Sequence, residues 1–275
     1  MSNSSGVSQT PFGELLTSVS GGFESSSLMP GGYYVTNNDW MFGAAARRAA
    51  DSVELSSEYT SVYMTVGNGG FESMASLLPG EVAFLHVDRD PQVLAANRIA
   101  RLAILESDSR EEFFYKINSY PDVATGRAGD MAETWQEKYL YQRFQWSIAG
   151  RFAPWLSNHF LSTEKSFSAA REALSSREVA YFAMDIFDSE QRQMLGEKLA
   201  TAGARIAILN VTNVMDPYYN RDRVTVPEIV NDLPVSKELV IMQSTNKKRS
   251  RASGLEAPYK RDGAKVTINR RANLL

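Results

Sequence analysis

Residues 61–90 read "SVYMTVGNGGFESMASLLPGEVAFLHVDRD", and the order of events along them decides the fold. The run "VYMTV" (62–66) is short, β-branched and apolar, and Gly67, Asn68, Gly69 and Gly70 stop it. A short apolar run bounded by glycine reads as a strand covered on both faces. "FESMASLLP" then offers one or two helical turns that end at Pro79-Gly80. "VAFLHV" (82–87) follows as a second buried strand and runs out on Asp88.

The same alternation continues on both sides of this stretch. "PQVLAANRIARLAILES" starts with proline at a first helical position, and Val93, Leu94, Ile99, Leu102, Ile104 and Leu105 give it an apolar face. Three more strand-like runs are "EVAYFAMDI" (178–186), "ARIAILNV" (204–211) and "ELVIMQS" (238–244), with a helix pattern over 189–204 between the first two. Apolar strands alternating with helices predict an α/β protein with a mostly parallel sheet, helices on both faces. Roughly ninety residues separate the second and third strands, far more than a crossover needs, so a helical insertion is expected over 107–177. Its large aromatics, Trp135, Tyr139, Tyr141, Phe144, Trp146, Phe152 and Trp155, are expected mostly to pack it against the sheet.

Composition sets the outer limits. The chain has 275 residues, 43% hydrophobic and 22% charged, which suits one decorated globular domain over 33–275. Residues 1–32 are rich in serine and glycine and are expected to be a flexible leader. There is no cysteine, which removes disulfides, thiolate metal sites and a cysteine nucleophile; His86 and His159 are the two imidazoles, and no metal site is expected. His86 falls inside an apolar strand and reads as a packed core residue. No run approaches the roughly 18 apolar residues of a membrane span. A cytoplasmic location is the expectation, with export as an effector the second reading.

The net charge of −3 is divided unevenly. Residues 246–275 carry nine Lys/Arg against two acids, which leaves about −10 on the rest. The tail reads as solvated or as a clamp on an anionic partner, and "APYKRDGAKVTIN" (257–269) as a closing hairpin on the sheet edge with Asp262-Gly263 as its turn.

In an open parallel sheet, ligands bind outside the carboxyl ends of the strands, and the turn after the first strand is the usual phosphate or cofactor contact. Glycines at 67, 69 and 70 let a ligand approach the backbone. Asp88, at the end of the second strand, is placed to accept both hydrogen bonds of a ribose diol. The dinucleotide fingerprint asks for a small sixth residue where this chain has Glu72, which counts against NAD or FAD, and no GxxxxGK[ST] occurs.

With these residues in place, the stretch resembles the class I S-adenosylmethionine (SAM) dependent methyltransferases, whose first motif is commonly written DxGxGxG. Gly67 and Gly69 match its first two glycines and Asp88 its ribose-binding acid, while Thr65 stands where the family usually has an acid and Phe71 where it has a third glycine. The resemblance implies a Rossmann-like three-layer sandwich and SAM as cofactor. It implies cofactor contacts from Thr65, Gly67, Asn68, Gly69, Asp88, Arg89, Asp185, Ile186 and Asn210. "AMDIFD" is similar to the segment flanking the adenine, and "IAILNVTNVMDPYY" to the one beside the sulfonium, which implies orienting roles at the reacting centre for Asn210 and Asn213, with Tyr34 beside them.

"YYVTNNDW" (33–40) precedes the first strand, and Tyr33, Asn37 and Asn38 form with Tyr34 a polar and aromatic cluster suited to a small substrate. Asn38 or Asp39 also suits the N-cap of the helix "WMFGAAARRAAD". The expected reaction is methyl transfer to a small-molecule acceptor, with nucleic acid not expected as a partner. A looser resemblance to 3-amino-3-carboxypropyl transferases of the betaine-lipid type adds transfer of that group, or internal cyclisation of SAM, as an alternative. A non-catalytic interaction protein on the same fold is the third reading.

Overall fold

The computed structural model describes residues 12, 42–67, 70–89, 91–117, 160–161, 163–212, 214–215, 223–244 and 264–270. Its strands are β1 (Thr60–Val66), β2 (Ala83–Asp88), β3 (Val179–Ala183), β4 (Ala204–Asn210), β5 (Val235–Ser244) and β6 (Ala264–Arg270). They form one sheet in the order β3-β2-β1-β4-β5-β6. The first five run parallel and β6 pairs antiparallel with β5. The fold is α/β and Rossmann-like, and its strand order reverses between β1 and β4.

The described helices are α1 (Phe42–Ser52), α2 (Phe71–Ala75), α3 (Pro91–Leu105), α4 (Arg110–Ile117), α5 (Glu164–Ser175), α6 (Ser189–Thr201) and α7 (Val226–Asn231). Because side chains alternate along a strand, β1 feeds two cores at once. Tyr63 packs with Phe84, Ile208 and Val240 beneath α1 to α5, whereas Val62, Met64 and Val66 pack with Leu85, Leu209 and Ile241 against α6 and α7. All but the first residue of β1 are buried, which is why its sequence shows no polar face. Phe12, the one residue of the leader that is described, is buried in the second of these layers.

Caps set the helix starts. Thr163 accepts from the Ser166 N–H ahead of α5, and Thr225 and Glu228 form a capping box at α7. Asp188 caps α6 by accepting from the N–H groups of Glu190 and Gln191, and this explains why β3 stops at Ala183 instead of running through the whole apolar segment to residue 186. Of the insertion, α4 and α5 are described; Phe113, Phe160 and Phe167 join them through ring centroids 5.7 to 6.5 Å apart. Its other aromatics, from Trp135 to Trp155, lie outside the described residues.

The closing strand is found, but its partner is β5, with Ser244 opposite Ala264 and Glu238 opposite Arg270. Val266 and Ile268 fall opposite Met242 and Val240 in that register. Asp262 and Gly263 lie outside the described residues. On the opposite layer, α6 approaches the chain after α7 so closely that a Cβ on Gly196 would lie 2.3 Å from the Asp232 carbonyl oxygen. Arg192 locks the same contact, placing Nε and Nη2 each 2.7 Å from Asp232 Oδ2.

Candidate active site

The carboxyl ends of β1, β2 and β3 bring Gly67, Asp88, Arg89 and Asp185 to one edge of the sheet, next to the switch in strand order. Gly67 leaves β1 with φ +73°, a left-handed conformation that costs side-chain-bearing residues about 1–2 kcal/mol. Its N–H donates to the Val87 carbonyl at 2.9 Å, and buried Asn97 on α3 donates to its carbonyl at 3.5 Å. A Cβ on Gly67 would lie 3.4 Å from Asp88 Oδ2. Glycine therefore adds no side chain against the Asp88 carboxylate, at the strand end where this topology receives a ribose.

Asp185 shapes the turn from β3 into α6. Its Oδ1 accepts from the Phe187 N–H at 3.0 Å, its own N–H donates to Gln191 Oε1, and Arg89 reaches its Oδ2 at 3.8 Å. The Arg89 side chain is 63% exposed, so this pair contributes little to stability and leaves the guanidinium available at the rim. The Asp88 carbonyl accepts from Met184 N–H at 3.0 Å and thereby ties the ends of β2 and β3 together.

Two expected contacts need correction. Ile186 is 3% exposed, packs in the core beneath α6 and gives its carbonyl to Arg192, so its side chain does not line the crevice. Asn210 is fully buried: its amide nitrogen donates to the Tyr63 hydroxyl at 2.8 Å, and its Oδ1 accepts from the Thr212 hydroxyl and main chain. It braces β4 against β1 beneath the crevice instead of presenting its amide to a reacting group. Thr65 is likewise fully buried, in register between His86 and Asn210. Asn68, Gly69, Asn213 and the pre-strand residues Tyr33, Tyr34, Asn37 and Asn38 lie outside the described residues.

A polar row runs across the sheet under the glycine turn: half-buried Tyr181 and fully buried His86, Thr65 and Asn210 are lateral neighbours on β3, β2, β1 and β4. His86 stacks on Tyr181 with ring centroids 5.1 Å apart, and burial, with the Arg101 charge adding, pushes its imidazole down to about 3. It is a neutral core histidine at physiological pH. Burial also holds the Tyr63 and Tyr181 phenols far above their ordinary value.

Glu72, in the first turn of α2, joins this group. The sequence presents it only as the residue that spoils a dinucleotide fingerprint; an acid so close behind a glycine turn was the available signal. It is 2% exposed, and burial pushes its carboxyl up to about 7, against a bond from its own N–H that pulls the other way.

A cavity of about 390 Å³ lies at the opposite edge of the sheet, where Phe12, Thr60, Glu81, Ala83, Glu178 and Ala202 line it. It faces the amino ends of the strands, away from Gly67 and Asp88, and is not the crevice that this topology uses. Among the described residues, no helix is long and apolar enough to cross a membrane.

No protein-family model matches the chain, and no curated protein matches it. Among solved structures it is similar to two of the rRNA methyltransferase aviRa from Streptomyces viridochromogenes. Each is 14% identical with a TM-score of 0.43; the matches cover 92% and 91% of this chain and 94% of the other. Likeness at that level carries no argument about what this chain does. Those chains are described as an rRNA methyltransferase, which runs against the expectation that nucleic acid is not a partner, and that exclusion is withdrawn.

Proposed function

We propose that the chain is a SAM-dependent methyltransferase with a nucleic-acid acceptor. The observation that carries the cofactor reading is the placement of Gly67 against Asp88 at the switch in strand order. Asp88 would hold the ribose hydroxyls, Gly67 would leave room for them, and Asp185 with Arg89 would border the base. When bound, SAM supplies a methyl carbon on a positive sulfur, so the protein's work is to bind, orient and exclude water. Asn210 and Tyr63 hold β4 and β1 in fixed relation beneath that work. Calorimetric titration with SAM and with S-adenosylhomocysteine tests the reading: saturable binding of both is expected, and absence of binding by the purified full chain would reject it.

The acceptor reading rests on where the basic segment leaves and rejoins the sheet. Ser244 ends β5 at the carboxyl edge, the edge that carries Asp88, and Ala264 pairs with it at the start of β6. The residues between them include Lys247, Lys248, Arg249, Arg251, Lys260 and Arg261. A basic segment whose two flanking residues meet the sheet at its carboxyl edge suits an anionic polymer, with affinity that falls as salt displaces the advantage of counterion release. Mixed-sequence RNA is expected to bind with at least about tenfold loss between 50 and 200 mM salt. Replacing Lys247, Lys248, Arg249 and Arg251 with serine should abolish RNA binding and leave SAM binding intact, whereas salt-independent binding would reject this acceptor.

A further inference from the structure

We propose that the Glu72 carboxylate is the counter-ion for a positively charged group of the ligand held at the Gly67–Asp88 crevice, an inference that rests on the cofactor reading above. The end of β1, "MTV", carries no acid. An acid follows instead on α2, which begins directly after Gly70, whose φ of +61° turns the chain into the helix. Glu72 is buried, and its Oε1 has no hydrogen-bond partner among the described residues. A buried acceptor left without a donor costs about 1–3 kcal/mol and needs a reason. A cationic ligand group supplies one.

The surroundings select a cation. Tyr63 on β1 and Tyr181 on β3 lie close enough to feel the Glu72 charge, and their phenols stay neutral. His86 on β2 is neutral as well. Arg98 and Arg101 on α3 act on Tyr181; Arg98 is exposed, and Arg101 donates Nη2 to the Leu174 carbonyl while its Nε is buried without a partner among the described residues. α1 and α5 also pack on α2. Their charged residues Arg47, Arg48, Asp51, Glu164, Lys165 and Glu172 are exposed, and Arg171 turns to Asp108 and the Leu105 carbonyl. Thus no described residue gives Glu72 a counter-charge at close range, and a sulfonium or ammonium of the ligand would be the first to do so.

The carboxyl carries a proton in much of the population near neutrality because burial raises it to about 7. Binding of a cation favours the carboxylate, so the O–H bond breaks and the proton passes to the buffer. Calorimetry of SAM binding to the full chain at pH 6, in buffers of different ionisation enthalpy, is expected to show close to one proton released per SAM. Glu72→Gln, of the same shape, should lose that release and bind about tenfold more weakly at pH 8. Asp88→Ala should bind more weakly yet still release the proton. SAM binding by the wild type without proton release would overturn this proposal alone. Absence of any SAM binding would overturn it together with the cofactor reading.

Discussion

Replacing Asp88 with alanine is expected to weaken SAM binding by about 30-fold to 1,000-fold. A ribose diol gives a carboxylate two hydrogen bonds, and a hydrogen bond to a charged group contributes about 1.5–3 kcal/mol. The two bonds share one carboxylate and do not add in full, so losing the pair costs about 2–4 kcal/mol, which corresponds to that range of affinity. The fold should tolerate the change, because Asp88 ties β2 to β3 through its main-chain carbonyl, and that bond to Met184 survives in the variant. Asp88→Asn keeps one acceptor and the side-chain shape, so an intermediate loss is expected. Unchanged affinity in calorimetry, with an unchanged melting curve, would mean that the ribose lies elsewhere.

The largest expected loss of stability is at Arg177, a residue well away from the crevice. The residue is 6% exposed, and its guanidinium donates to four carbonyls at the end of α2 and in the turn after it. Nη1 reaches Pro79 at 2.7 Å and Val82 at 3.1 Å; Nη2 reaches Ala75 at 2.9 Å and also Leu78. The charge stands 5.2 Å over the Phe84 ring. Burial pushes its basicity down to about 10, so it stays charged at neutral pH. Arg177→Ala removes the donor common to these carbonyls together with the cation–π contact, at a cost of about 4 kcal/mol. For a chain of this size that is a drop of about 10 °C in melting temperature. Because the same carbonyls close α2, which carries Glu72, the variant should also bind SAM more weakly at temperatures where it is folded. A melting temperature within a degree or two of the wild type would refute the assignment.

These two residues also show what can be read along the chain and what cannot. Asp88 announces itself, because a parallel strand covered on both faces is a continuous apolar run and the first charge after it marks where the strand leaves the core. Gly67 is legible for the same reason, since a break at the end of such a run has to be a turn at the ligand-binding edge. The alternation of strands and helices restricts the crossovers, but the order β3-β2-β1-β4-β5-β6 is fixed only by the tertiary pairing. Arg177 carries no such mark: between a helix end and a strand start, arginine reads as surface. It is buried because α2 stops with its last carbonyls under the place where β3 begins, a meeting of segments about a hundred residues apart.

Asn210 fails in the opposite direction. A polar residue at the end of β4 promises a functional contact, but the two-residue period of the strand puts its amide on the face of Tyr63, under the helices. Glu72 is the subtler case. An acid in the first turn of a helix is ordinarily solvated and stabilising, and here tertiary burial shuts it from water and raises its proton affinity. The sequence by itself determined the strands, the glycine turn and the carboxylate beside it, because those depend on local patterning. Which polar groups are dry, which are braces and which face a ligand was decided by tertiary structure alone, since desolvation is set by what the rest of the chain lays on top.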